Sequence, residues 1–275
     1  MKDRAPITIH DYDAFMATDE AVKAKLERNQ DTGVEAYMAG IVPPFDGFDR
    51  DYFNRSFNTS LELDFTSKSA IQERVVDPLS EIAEKNRVKL LVVGGSNEQS
   101  HITLQTGRYM GGMDTDQIKD HQAQIRNDWR VRRVESALQG RVIEMDRLVF
   151  DGRGNIFLCA SGVVPETQKA RETIKKLLQR STQTGNVLYS PRKSINDLDQ
   201  TELLGLVDFS DITHSGVARI DSNIAPDQLR AFYAETRELR NGIKADPIQV
   251  TVAGMYVGTS FDFVNKTAPH MFKSN

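Results

Sequence analysis

The stretch SHITLQTG, Ser100–Gly107, decides how this chain is read, together with ITHSGVARI, Ile212–Ile220. Each is a short run with one histidine and reads as a strand from its flanking β-branched residues. Side chains alternate across a strand, so residues two apart share a face. In the first run His101, Thr103 and Gln105 then point one way, and Ile102 and Leu104 the other. In the second, His214 shares its face with Gly216 and Ala218, while Thr213, Ser215, Val217 and Arg219 take the opposite one. Ser215 joins His214 only if a bulge next to Gly216 re-aims it. Alone, either run is equally well a strand with a hydrogen-bonded core histidine.

The order of elements around the two runs adds more. Downstream of SHITLQTG come Arg108, Tyr109 and a glycine loop, then one long polar helix over 115–139 ending at Gly140. Next is RVIEMDRLVFDGRGNIFLCASG (141–162), two alternating runs about a DGRGN turn, which predicts a hairpin. Downstream of THSGVARI a helix over 225–242, closed by Gly242, leads to DPIQVTVAGMYVGTSFDFVNK (246–266), a second pair of alternating runs. Upstream, AYMAGIVPP (36–44), a helix interrupted near Pro78 and then the first run match NIFLCASGVVP (155–165), a helix from Pro165 and then the second. RVKLLVVGG (87–95) reads as a buried strand. Residue identity between the halves is low, so what repeats is element order. Two lobes related by a pseudo-two-fold would set the histidine strands side by side facing one cleft.

With the motifs His101-Ile102-Thr103-Leu104 and His214-Ser215-Gly216-Val217 in place, the chain resembles the two-histidine (2H) phosphoesterase superfamily. That family includes bacterial RNA 2′,3′-cyclic phosphodiesterases, also described as 2′-5′ RNA ligases. Its signature, His-x-Thr/Ser followed by an apolar residue, occurs once per lobe. The first copy fits fully; in the second, Gly216 stands where the hydroxyl belongs. The resemblance covers roughly 36–265. It implies an α+β fold with two pseudo-symmetric lobes, each an antiparallel sheet with flanking helices, around a central cleft. Residues 1–35 would form a helical extension, and 36–275 the bilobal domain. Its lobes would come from about 36–155 and 156–265, with strand exchange.

The resemblance also implies a metal-independent phosphodiesterase that needs no cofactor. It would act on a 2′,3′-cyclic phosphate, a 2′-5′ linkage or a related small nucleotide phosphoester. One imidazole, His101 or His214, would take a proton from water and the other would protonate the departing ribose oxygen. Histidine suits both roles because its ordinary pKa is about 6.5. Thr103, Ser215 and Gly216 would hold the phosphate, with Gln105, Arg108 and Tyr109 as cleft-lining candidates. Losing a donor at Gly216 would cost on the order of 10²–10³ in rate. This leaves a non-enzymatic nucleotide- or phosphate-binding protein as the alternative.

Bulk properties narrow the field. A net charge of −4 argues against extended nucleic-acid binding, though not against a local basic cleft for an RNA-end phosphoester. A single cysteine, Cys159, rules out an intrachain disulfide. With a polar N-terminus, it predicts a cytoplasmic protein with no membrane span. Other motifs read more simply. RNDWRVRRVE (126–135) is a solvated helix face or a nucleic-acid patch with Trp129 for stacking. Asp116, Asp120 and His121 lack a convincing metal-ligand set. GGSNEQS (94–100) reads as a plain turn, and PPFDGFDRDYF (43–53) as a lid or an irregular packed segment. Oligomeric state is not legible.

Overall fold

In the computed structural model, the structure describes residues 56–92, 100–109, 114–151, 154–183, 187–188, 212–220 and 224–259, with Glu20, Leu26, Val34, Glu35, Tyr37 and Met38 upstream. Strands are β1 (Ser56–Leu63), β2 (Leu90–Val92), β3 (His101–Tyr109), β4 (Val142–Met145), β5 (Arg147–Phe150), β6 (Asn155–Cys159), β7 (Val187–Leu188), β8 (His214–Ile220) and β9 (Ile248–Thr259). Helix α1 runs Phe65–Ile71, passes a π-helical turn at Gln72–Val76 and resumes at Asp77–Lys85. The others are α2 (Thr115–Asn127), α3 (Trp129–Leu138), α4 (Pro165–Gln183) and α5 (Pro226–Ala245). The chain is thus a mixed helix-and-sheet protein, and among the described residues the strand pairings are all antiparallel.

Two sheets form, one of five strands in the order β4-β9-β1-β3-β7 and one of four in the order β2-β8-β6-β5. At the centre of the first lie β1 and β3, joined in sequence through α1; at the centre of the second lie β6 and β8, joined through α4. The flanking strands cross over. β2 and β5 leave the earlier half to join the second sheet, and β7 and β9 leave the later half to join the first. One apolar core spans both sheets, from Phe57, Leu61 and Ile102 to Ile156, Leu158 and Val217. Burying each such side chain contributes roughly 1.5–3 kcal/mol. No described helix is long and apolar enough to cross a membrane.

Several predicted boundaries move, each for a local reason. The polar helix 115–139 is two helices, because Asp128 turns extended (ψ 129°) and its carboxylate accepts the Arg130 N–H at 2.9 Å to cap α3. Gly140 still follows the second of them, at φ 77°. Pro78 has no N–H to continue α1, and the π turn directly precedes Asp77–Pro78. Helix α5 runs through Gly242 to Ala245, and the Asp246 N–H donates to the Gly242 carbonyl. The two runs expected in 246–266 are, as far as Thr259, one strand. β9 passes through Gly254 and Gly258 because it is paired by β4 along its first part and by β1 along the rest. Ser56–Leu63 is a central strand, and Tyr37 and Met38, in the stretch matched above to the strand-bearing NIFLCASGVVP, are helical. The DGRGN hairpin forms between β5 and β6. VIEM does not join it. Asp146 breaks the run, accepting from Ser161 N–H at 2.7 Å and Ser161 Oγ–H at 2.6 Å, so β4 goes to the first sheet and β5 to the second. Most of the expected N-terminal helical extension and of 94–100, and all of 43–53, lie outside the described residues.

Candidate functional site

His101 opens β3, where Ile102 and Leu104 are buried in the core while His101 and Thr103 are half-exposed. Opposite residues of an antiparallel pair share a face. Glu62 lies across from His101 and Ser60 across from Thr103 on β1; beyond them on β9 lie Gly254 and Tyr256. The side of the first sheet that carries His101 and Thr103 is therefore rich in polar groups. Its other side carries Phe57 and Leu61 and packs on α2, where His121 meets the Phe57 ring edge-on at 6.3 Å. His121 is 3% exposed and burial lowers its pKa, the state of a core histidine.

The β1–β3 register shifts once. Ser60 faces Thr103 but Thr59 faces Gln105, leaving Leu104 as the extra residue. This bulge breaks the alternation that was to put Gln105 beside Thr103. Gln105 instead lies opposite Thr59, a position that alternates with Ser60 and Glu62. Arg108 lies opposite Ser56 and also opposite Leu188; Tyr109 lies opposite Val187.

His214 opens β8 across from Cys159, with Gly216 across from Phe157 and Ser215 across from Leu158. The imidazole is buried, and the Phe157 ring meets it edge-on at 5.1 Å and 81°. Its Nδ1 lies 2.9 Å from the Ile212 carbonyl oxygen. A carbonyl only accepts, so Nδ1 carries the hydrogen, and in the neutral ring Nε2 is the acceptor nitrogen. Ser215 is fully buried on the other side of β8 with Val217. That is the helix side, for Thr213 Oγ1 pairs with Thr167 Oγ1 of α4 at 2.8 Å. A bulge does occur, but beyond Gly216: Phe157 faces Gly216 and Ile156 faces Ala218, leaving Val217 extra. Ser215 therefore stays on the helix side. Arg219 is the residue that changes side. It falls across from Asn155, on the face that carries Phe157, Gly216 and His214, against the expectation from simple alternation. Only pairing with β6 reveals this, so the sequence held no signal for it.

The two histidine strands belong to different sheets yet β3 and β8 touch. The join is made by a residue that sequence reading passed over, Arg171 of α4. It is 9% exposed, and its Nη2 donates to the Thr103 carbonyl at 3.2 Å and to the Ile212 carbonyl at 3.0 Å. On the His214 side of the second sheet, Leu26 packs with Val149, Cys159 and Ile212. Among the described residues no cluster of three or more His, Cys, Asp or Glu groups is arranged to hold a metal ion. Asp116 is exposed while His121, on the same helix, is buried. Trp129 is 66% exposed at the start of α3.

No protein-family model matches the chain, and no curated protein matches it.

Proposed function

We propose that the chain is a phosphodiesterase that acts on a small nucleotide phosphoester, a 2′,3′-cyclic phosphate or a 2′-5′ linkage, by two-histidine acid–base catalysis without a metal. In this reading the two sheets are lobes related by a pseudo-two-fold, with the cleft where β3 meets β8. The observation that carries it is the contact between these two strands. Each opens with a histidine, and each lies between a strand of its own half and one from the other: β3 between β1 and β7, β8 between β6 and β2. His214, with Nδ1–H held by the Ile212 carbonyl, presents Nε2 as one proton-transfer group. His101 is the other, and Thr103 on the same side of β3 donates to a phosphate oxygen. Gly216 gives no side-chain donor, and its lack of one lets a phosphate approach the backbone. Arg219, beyond it on the same face, brings a guanidinium suited to phosphate oxygens. Arg108 and Tyr109, further along β3, are the candidates for the cleft mouth in this reading. The substrate is an RNA end or a small nucleotide, in a cytoplasmic setting.

The burial of Ser215 and of His214 favours one rival, a nucleotide- or phosphate-binding protein that retains the fold without full catalysis. Both readings are tested by offering 2′,3′-cyclic nucleotides and 2′-5′ dinucleotides in EDTA to wild type, His101→Ala, His214→Ala and Arg219→Met. Each histidine variant should lose on the order of 10²–10⁴ in kcat, while Arg219→Met should chiefly raise KM. Activity abolished by EDTA, or undiminished in both histidine variants, removes the mechanism. Tight binding of a nucleotide 2′-monophosphate with no turnover selects the rival.

A further inference from the structure

We propose that Arg171 is a positioning residue that sets the separation of the two histidine strands; its catalytic consequence rests on the function proposed above. One amino group of its guanidinium, Nη2, has two hydrogens at a fixed angle and spends one on β3 and the other on the segment that leads into β8. The first goes to the carbonyl of Thr103, two residues after His101. The second goes to the carbonyl of Ile212, which also accepts the Nδ1–H of His214. Any movement of the guanidinium is therefore felt by both motifs. On the His214 side it is felt through the atom that fixes the imidazole's tautomer and orientation.

The source of the arm matters as much as its end. Arg171 projects from α4, which also packs on β3 and grips the approach to β8 through the Thr167–Thr213 hydroxyl pair at 2.8 Å. Apolar packing alone is non-directional and tolerates a slide of one sheet against another. Two charge-assisted hydrogen bonds from one planar group do not. A lysine at this position keeps the charge but not the fork, so it should hold the two carbonyls less firmly. Mutual misplacement of catalytic groups by about 1 Å costs on the order of 100-fold in rate. Phosphate binding through flexible donors tolerates such a shift better.

The test compares wild type with Arg171→Met, Arg171→Lys and Thr167→Val. The last cuts the other polar tie between α4 and the β8 approach. The first readout needs no turnover: the imidazole ¹⁵N resonances of His101 and His214. Arg171→Met should displace both sets, Arg171→Lys should return both part-way, and Thr167→Val should leave His101 unmoved. Movement of only one histidine, or neither, in Arg171→Met overturns the proposal. Should Arg171→Met not fold, the same signals are read in Arg171→Gln, whose polar head is too short to reach both carbonyls. The second readout is steady-state hydrolysis of a 2′,3′-cyclic nucleotide. Arg171→Met should lose on the order of 100-fold in kcat with KM changed by less than about threefold, and Arg171→Lys should recover part of kcat. An equal loss in Thr167→Val, or a loss that only tracks the folded fraction, makes Arg171 merely structural and overturns the proposal. If wild type hydrolyses nothing, the phosphodiesterase reading fails, and the imidazole signals still decide the role of Arg171.

Discussion

Replacing Ser215 by alanine separates two readings of the second motif by sign. If Ser215 supplies the hydroxyl that Gly216 lacks, Ser215→Ala should cost on the order of 10²–10³ in kcat, as loss of an oxyanion donor does. The structure predicts otherwise. Ser215 is fully buried on the helix side of β8, across from Leu158, and its Oγ has no hydrogen-bond partner there. A buried hydroxyl without a partner costs about 1–3 kcal/mol in lost hydration. Alanine removes that cost and leaves a void of roughly 10 Å³, worth only about 0.2 kcal/mol. The net effect is a stabilisation of about 1–3 kcal/mol. At about 2.1 cal/mol/K of unfolding entropy per residue, a 275-residue chain should gain about 2–5 °C in Tm. Urea and thermal unfolding measure the stability, and the cyclic-nucleotide assay in EDTA measures kcat. A fall in stability above 1 kcal/mol would refute the burial argument. A tenfold or larger loss of kcat with stability intact would place Ser215 at the phosphate.

Other expectations test the framework around the site. Gly154 and Gly140 both hold positive φ, 78° and 77°, but an added Cβ at Gly154 would come 2.8 Å from the Tyr37 ring, whereas at Gly140 it meets nothing. Gly140→Ala should therefore cost about 1–2 kcal/mol, and Gly154→Ala at least about 1 kcal/mol more. Equal costs in urea unfolding would mean that Tyr37 does not pack on the hairpin. His121 has its pKa lowered by burial from the ordinary 6.5. Below that value the unfolded chain binds a proton that the folded one resists, so this contribution to stability is complete above 6.5 and is lost as pH falls towards the folded value. His121→Leu should flatten the fall of unfolding free energy as pH drops below the ordinary histidine value of 6.5, and an unchanged slope would contradict the assignment. Burial, with Asp146 nearby, raises the Cys159 thiol pKa well above its usual range. The native protein should therefore leave a disulfide reagent at pH 8 almost unreacted until denaturant is added, and rapid native labelling would show that β6 is open at His214.

Local chemistry made part of this fold legible. The DGRGN hairpin, the helix from Pro165 and the two histidine strands depend on turn preferences and side-chain alternation, which neighbouring residues largely settle among themselves. Alternation also sufficed for the side taken by His101 and Thr103, and for that taken by Ser215. It failed wherever a partner strand inserts or skips a residue. Leu104 and Val217 are ordinary strand residues, and nothing in them announces a bulge. Yet these two register shifts separate Gln105 from Thr103 and carry Arg219 round to the His214 face. Nor does any local signal say that β9 runs unbroken through two glycines, since pairing from β4 and β1 holds it extended. The sequence by itself determined that two histidine strands, each preceded by a helix, recur along the chain; the strand that pairs with the first of them, Ser56–Leu63, lies outside the stretch 36–44 expected to hold it. Only the tertiary structure decided which strands are exchanged between the sheets and through which residues β3 and β8 meet. It alone set the guanidinium of Arg171 across that join. The physical reason is that register and inter-sheet contact are properties of pairs of segments distant in the chain. Each is chosen by which side can be buried and which backbone carbonyls find a donor.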